Sequence, residues 1–275
     1  MKPSELAPGF YPDYPAEDYH TRELGMASKS CLDVLQSSPS HVKAWAEDTT
    51  TTEEQSRALF IGAAFHCATL EPARFERIYA VKPDFGDGRY KEAKDKTAAW
   101  RLANEGRIVL SEADDKAIRG MARSIHDHPL AAPLLEGGTP EVTLRWRDEE
   151  SGVECKVRAD YWNEAAAICT ELKTTADARS EMFSKSVYSY RYHVQQALYS
   201  EGFRALGKPL RYFIFVCVEK EPPFAVAVYQ LDVVAVARGD EIVRDGLDVM
   251  GQCVASGIWP GYPQKIQKLS LPPWA

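Results

Sequence analysis

The run from Val153 to Trp162 constrains the fold more tightly than any other part of the 275-residue chain. Val153, Cys155, Val157, Ala159 and Tyr161 alternate with Glu154, Lys156, Arg158 and Asp160. That is the period-two signature of a strand with one apolar and one polar face. Asn163-Glu164 turns the chain, and Ala166 to Lys173 forms the next strand. Glu171 and Lys173 share a face because they are two residues apart, and Asp160 ends the adjacent strand. Two carboxylates and one ammonium therefore converge at one sheet edge.

Such a set has a definite chemistry. Paired carboxylates attract hard cations such as Mg²⁺, which take oxygen ligands and keep waters. The lysine is suited to orienting or deprotonating a water on that cation, as phosphodiester hydrolysis requires. The same residues also describe a solvated strand end with a cross-strand ion pair, and the short pattern does not separate the two readings.

The remaining pattern surrounds these strands with helices. An acidic, proline-bearing stretch to about Tyr19 reads as an extended arm. Ser28 reads as the N-cap of a short helix through Leu32 and Leu35. Further helices are expected over about Thr52 to Leu70, Glu112 to His126 and Pro129 to Leu135, with a polar loop from Pro83 leading into another. Val142 to Trp146 is a strand after Gly137-Gly138-Thr139-Pro140. After Lys173 a long helix is expected from about Ser180 to Leu206, then strands at Arg211–Val218 and Ala225–Leu231. A last helix covers about Ala235 to Ser256. The fold class is α/β, a central mixed sheet flanked by helices. It forms one domain over 1–275, with a mainly helical part to 140, a catalytic sheet and helices over 141–256 and a tail over 257–275.

Composition adds exclusions. The longest apolar run, Phe213 to Val218, is far short of the roughly 20 residues of a membrane helix, and no basic-then-apolar leader opens the chain. No membrane association and a cytoplasmic location are expected. The six cysteines are scattered without a CxxC pair and read as buried free thiols. A net charge of -7 speaks against nonspecific coating of nucleic acid, but not against an enzyme whose positive potential is local.

Other residues gather around the triplet. Thr174 and Thr175 end the strand beside it. Arg191, Gln195 and Tyr199 recur at intervals of four as a polar stripe on the long helix, and His66 interrupts the small, apolar run Ile61 to Leu70. Glu141 opens the first strand within reach of the same edge. His126-Asp127-His128 precedes Pro129 and reads as a loop rather than a metal pair. His193 reads equally as a DNA contact or as helix packing. Tyr190 and Tyr192 are placed to stack on bases or to pack. Lys185, Arg191, Arg204, Lys208 and Arg211 form either a phosphate track or a solvated face.

Three ordered runs then carry a family resemblance: Gly152 to Asp160, Glu171-Leu-Lys-Thr-Thr175, and Tyr190-Arg-Tyr-His-Val-Gln-Gln-Ala-Leu-Tyr199. With Ser28 to Asp33, Gly62 to Cys67, Leu70-Glu-Pro72, Trp259-Pro260 and Leu269 to Ala275, they resemble the RecE-type exonucleases (exonuclease VIII). These belong to the PD-(D/E)xK, restriction-endonuclease-like superfamily, with lambda exonuclease and the RecB nuclease domain. The resemblance implies that Asp160 and Glu171 are acidic metal ligands and Lys173 the catalytic lysine. It implies that His66, Glu141 and the Leu172 carbonyl complete the metal site, and that Gln195 and Tyr199 position DNA; Arg191 and His193 are expected beside them from their places on the same helix. Glu171 stands where this type often has Asp, a change of reach by one methylene.

The same resemblance implies a Mg²⁺-dependent enzyme, Mn²⁺ substituting, that acts processively on double-stranded DNA ends from 5′ to 3′. It further implies a ring-shaped homo-oligomer and a phage-type single-strand annealing protein as partner. A structure-specific RecB- or Cas4-like nuclease and a silent DNA-binding scaffold are the rival readings. The chain lacks the cysteine cluster of the Cas4 type, and the intact acid, acid and lysine positions oppose the scaffold.

Overall fold

In the computed structural model, residues 2–48 and 57–271 are described. The chain begins with strand β1 (Gly9–Tyr11), helix α1 (Ala16–Tyr19), strand β2 (Met26–Ala27), and helices α2 (Lys29–Leu35) and α3 (Pro39–Glu47). Next come helices α4 (Arg57–Leu70) and α5 (Pro72–Ile78), strand β3 (Tyr79–Val81), helix α6 (Lys91–Ala103), strand β4 (Ile108–Leu110) and helix α7 (Glu112–His126). Strands β5 (Thr139–Arg147), β6 (Glu154–Asn163) and β7 (Ile168–Thr175) follow, then helices α8 (Ser180–Ser189) and α9 (Tyr192–Ala205). Strands β8 (Tyr212–Glu219) and β9 (Val226–Tyr229) and helix α10 (Val233–Ser256) complete the fold.

The main sheet runs β1-β5-β6-β7-β8-β9, with β2 added on β6. It is mixed: β7 and β8 are parallel, joined by the α8–α9 crossover, and β5-β6-β7 is antiparallel. Helices α9 and α10 cover one face over Val142, Leu144, Trp146, Val157 and Phe215. Helices α4 and α7 cover the other, where Phe65, Ile118, Met121 and Ile125 meet Leu172, Val216 and Val218. The expected mixed sheet flanked by helices is the observed architecture. All six cysteines are buried and free.

Several elements follow directly from local chemistry. The Ser28 hydroxyl accepts from the Cys31 N–H and caps α2, and Ser111 caps α7 through Asp114 N–H. Helix α7 spans the residues its periodicity predicts. The stretch after Pro129 winds as a short 3₁₀ turn, Ala132–Leu135, rather than a helix. The part of the expected Thr52–Leu70 helix before Arg57 lies outside the described residues, as do residues 272–275.

Two expectations are corrected. The first twenty residues do not form an extended arm: Gly9–Tyr11 pairs antiparallel with Arg145, Leu144 and Thr143 at the edge of the sheet. The buried Lys156 ammonium then holds the Tyr19 and Thr21 carbonyls at 2.7 Å, and Arg158 holds that of Tyr14. The long helix from Ser180 is also two helices. Arg191 takes a left-handed conformation, φ 54° and ψ 45°, between α8 and α9. Hydrophobic periodicity runs through that break because both halves bury residues on the same sheet.

Close helix packing places α9 on the sheet. A Cβ on Gly202 would sit 2.7 Å from the Trp146 ring, and one on Gly239 of α10 would overlap the His193 carbonyl. Gly239→Ala is expected to lower stability by about 1–3 kcal/mol through overpacking, read as a shifted urea midpoint at unchanged slope.

Glu201 of α9 gives a pH-dependent counterpart. Burial first, then a hydrogen bond to Asp148 and its charge, push Glu201 up to about 7 from its ordinary 4.5. The folded chain therefore holds an extra proton between those values. Stability from this group is complete below about pH 4.5 and is lost as pH rises through 7. Glu201→Gln should gain a few degrees of melting temperature on the wild type at pH 8 and little at pH 5. An equal difference at both pH values counts against this assignment.

Candidate active site

Strands β6 and β7 pair only at Tyr161↔Thr170, Trp162↔Cys169 and Asn163↔Ile168. One position further, opposite Asp160 and Glu171, the ladder stops. The backbone groups freed there must find other partners. Asp160 N–H donates to Glu171 Oε1 at 3.1 Å, and Leu172 N–H donates to Asp160 Oδ2 at 2.8 Å. Each carboxylate thus bridges the gap to the opposite strand. The N–H and C=O of a strand residue point to the same side, so the Leu172 carbonyl also faces this gap.

Glu141 enters from β5. The flanking pairs Pro140↔Tyr161 and Val142↔Ala159 leave it opposite Asp160, and its φ is 54°. A left-handed non-glycine residue inside a strand is a costly conformation found disproportionately at functional sites. The alternation of β6 also changes here, since Trp162 rather than Tyr161 joins the α9-side core. Arg158 Nε binds Glu141 Oε2 at 2.7 Å.

From the other face, α4 presents His66 with Nδ1 3.4 Å from Asp160 Oδ1. One ligand atom each from His66, Glu141 and Asp160 lie within 4.8 Å of one another. A single divalent cation with ligand distances of about 2.0–2.6 Å spans that separation. Among the described residues no other cluster of this kind is found. The donor set, two carboxylates and an imidazole beside a main-chain carbonyl, fits a divalent cation; imidazole also suits Mn²⁺ and other transition ions.

Glu171 stands beside this set rather than in it. Its side chain is 1% exposed, and its oxygens accept from Asp160 N–H, from Lys173 Nζ at 3.0 Å and from Gln195 Nε2. Gln195 bonds Tyr199, which in turn bonds Tyr19 of the docked N-terminal segment. The Lys173 ammonium also lies 5.0 Å over the Tyr192 ring.

The electrostatics follow from this crowding. Burial, then the charge of Asp160, push Glu171 up to about 7 despite Lys173. Glu141 is likewise raised, by burial and then Asp160. Burial opposes the Asp160 carboxylate, but His66, Lys173 and the Leu172 N–H outweigh it and hold the carboxyl below its usual range. Burial also opposes the His66 imidazolium, yet Asp160 and Glu141 lift it to about 8. Lys173 is raised because Glu171 and Asp160 outweigh its burial.

Other residues named from the sequence lie elsewhere. Arg191 donates to the Leu32 carbonyl at 2.8 Å and to Asp33 at 3.1 Å, so its charge is engaged within the fold and the four-residue stripe keeps only Gln195 and Tyr199. His193 is 8% exposed with Nδ1 3.4 Å from the Val187 carbonyl, which is packing. Arg211 and Tyr212 flank the start of β8, opposite Ile168 and far from the Lys173 end of β7. His126 bonds the Thr69 carbonyl and His128 accepts from the next turn, so this pair is a helix end. Sequence reasoning missed Arg158 and Tyr19 at the site; neither carries a spacing signal that marks it.

Residues 28–272 match the family described as PDDEXK-like domain of unknown function (DUF3799). The chain belongs to that family. Its fold is accordingly the PD-(D/E)xK fold, a coarser assignment than the RecE type. This PDDEXK-like chain is similar to a crystal structure from Eubacterium rectale that carries an inferred exonuclease name, at TM-score 0.60 and 13% identity, covering 94% of this chain and 96% of that one. A phage-related exonuclease from Haemophilus somnus 129PT aligns at TM-score 0.31 and 11% identity over 63% of this chain and 92% of that one, too distantly to bear on the fold. No curated protein matches the PDDEXK-like chain by sequence. No helix among its described residues is long and apolar enough to cross a membrane.

The His66, Glu141 and Asp160 cluster predicts metal-dependent stabilisation. Saturating Mg²⁺ or Mn²⁺ should raise the melting temperature of the wild type, by an amount equivalent to about 2.7 kcal/mol at a hundredfold excess over Kd. Scanning fluorimetry should find that rise abolished in Asp160→Asn and right-shifted in His66→Ala. Equal rises in all three proteins would remove the cation from this cluster.

Proposed function

We propose that the protein is a divalent-metal-dependent DNA exonuclease. The observation that carries this reading is the parting of β6 from β7, which gathers His66, Glu141, Asp160, Glu171 and Lys173 at one gap. Membership in a PDDEXK-like family supports the same class of chemistry, and the resemblance of the ordered motifs to RecE-type enzymes supports DNA as substrate.

On this reading His66, Glu141, Asp160 and the Leu172 carbonyl hold the cation, Mg²⁺ with Mn²⁺ substituting. When bound, it supplies Lewis acidity toward a phosphate and activation of water. Glu171, expected from the resemblance as a further ligand, lies outside that three-residue cluster and takes a different task. Fixed by three donors, it holds the Lys173 ammonium at 3.0 Å, where that cation orients the attacking water or a phosphate oxygen. Gln195 and Tyr199 keep Glu171 in place from α9, so their contribution is to position the centre. Arg158 does the same for Glu141.

The finer features rest on the motif resemblance: action on double-stranded ends from 5′ to 3′, release of 5′-mononucleotides, processivity and a ring-shaped homo-oligomer. So do handover of the 3′ strand to a phage-type single-strand annealing protein and work in the bacterial cytoplasm. A ring also suits a chain of net charge -7, because only the channel wall then needs positive potential.

The deciding assay uses linear duplex DNA labelled separately at each 5′ and 3′ end. Metal-dependent release of nucleotides from the 5′ label first is expected, with Lys173→Ala and Asp160→Ala each slower by about a hundredfold or more. Cleavage of closed circular DNA at a comparable rate, or undiminished release by Lys173→Ala, would overturn the proposal.

A further inference from the structure

Tyr190 and Tyr192 are two residues apart, and on a continuous helix such side chains do not face each other. Here their rings stack, with centroids 5.7 Å apart and planes inclined by 25°. The stack exists because the chain breaks at Arg191, whose left-handed backbone is a strained conformation for a non-glycine residue. A polar network holds that break. Arg191 grips the Leu32 carbonyl and Asp33, and the Lys29 ammonium joins Asp33 to the Tyr190 carbonyl at 2.7 Å.

The two rings have different surroundings. Tyr192 packs on Phe183 and Phe215 and carries the Lys173 ammonium over its face. Tyr190 is 61% exposed. A ladder of ammonium, inner ring and outer ring therefore runs from the lysine of the candidate centre into solvent. Its two steps measure 5.0 Å and 5.7 Å. Burial accounts for Tyr192. It does not account for an exposed aromatic ring fixed by a strained residue and two cations.

We propose that Tyr190 is a stacking platform for a nucleobase of the strand whose phosphate enters the Lys173 centre. Arg191, with Lys29 and Asp33, is the positioning residue that fixes its height. The proposal rests on the DNA-hydrolase reading above. An aromatic face accepts every base alike, so the platform confers no sequence preference. It can engage only a base whose face is open, at a terminal pair, a frayed end or a single strand, which defines the substrate class as DNA ends or single strands at the point of entry. The platform thus favours the terminal nucleotide over the interior of an intact duplex.

The experiment uses the full chain and short duplexes carrying 2-aminopurine at each terminal position in turn. Binding is followed by fluorescence without divalent metal, and cleavage by nucleotide release with Mg²⁺. Quenching is expected at one position, lost in Tyr190→Ala and retained in Tyr190→Phe and in Tyr188→Ala, an exposed neighbour outside the stack. Stacking of a base contributes about 1–3 kcal/mol, so KM for Tyr190→Ala should rise about tenfold with kcat nearly unchanged. An abasic residue at the quenched position should bring the wild type to the same KM. Metal-dependent release with quenching and KM unaltered in Tyr190→Ala overturns the platform and leaves the hydrolase reading standing. Tyr190-dependent quenching without any metal-dependent release supports the platform and overturns the hydrolase reading. Loss of quenching in Tyr190→Phe as well would overturn the stacking role, because the ring itself is retained.

Discussion

The separation of β6 from β7 is the constraint on which the rest of the site depends. Had the ladder continued one position, Asp160 and Glu171 would be cross-strand partners, and like charges directly opposite each other destabilise a sheet. The strands part instead, and each carboxylate accepts a backbone N–H from the opposite side. The buried amides are satisfied, and the carboxylates become fixed parts of the backbone scaffold rather than mobile side chains. Along the vacated length of β6, Met26 and Ala27 of β2 pair with Glu154 and Cys155. The opening is therefore short, and it lies where the two helical layers can both reach through the sheet.

The layers use that opening from opposite faces. Helix α4 delivers His66 from the side that buries Phe65 against Leu172, Val216 and Val218. Helix α9 delivers Gln195 and Tyr199 from the side that buries Trp146 and Phe203. The N-terminal segment closes a third side, held down by the buried Lys156 and Arg158 on the polar face of β6. Those two cations turn what looks in sequence like a solvent-facing strand surface into a docking seam. Residues from Tyr19 to Tyr199 must be brought together before the centre exists, so its geometry is a property of the whole packed sheet.

This division explains what was legible in the sequence. The period-two run of β6 and the two-residue spacing of Glu171 and Lys173 are local, and they placed the triplet. The Ser28 cap and the length of α7 are local as well. The break at Arg191 was not legible, because a left-handed arginine leaves no mark in hydrophobic periodicity and both helices bury the same face. Nor was the docking of Gly9–Tyr11, a short edge strand whose partner lies more than 130 residues away. His66 and Glu141 were singled out from their local context, but only the family resemblance gave them a metal role. Helix α4 is apolar almost all round, so periodicity gives no direction to His66. The positive φ of Glu141 leaves no mark in the alternation of its strand. Arg158 and Tyr19 escaped notice because their roles arise only when the N-terminal segment folds back.

Four non-glycine residues have positive φ among the described positions: Glu141, Ala167, Arg191 and Phe224. Ala167 and Phe224 sit in the links between β6 and β7 and between β8 and β9, where the left-handed region serves a tight reversal. No such turn explains Glu141, inside a strand, or Arg191, at a helix junction. Each of these two is instead anchored by ionic contacts, Glu141 to Arg158 at 2.7 Å and Arg191 to Asp33 at 3.1 Å. Strain persists only where surrounding interactions over-determine it, and both anchors meet that condition. The two positions also share a neighbourhood. Glu141 stands opposite Asp160, and Arg191 directly precedes Tyr192, whose ring lies beneath the Lys173 ammonium. Outside the tight turns, backbone strain in this fold thus falls at Glu141, opposite Asp160, and at Arg191, next to the ring under Lys173, and an ion pair holds each in place.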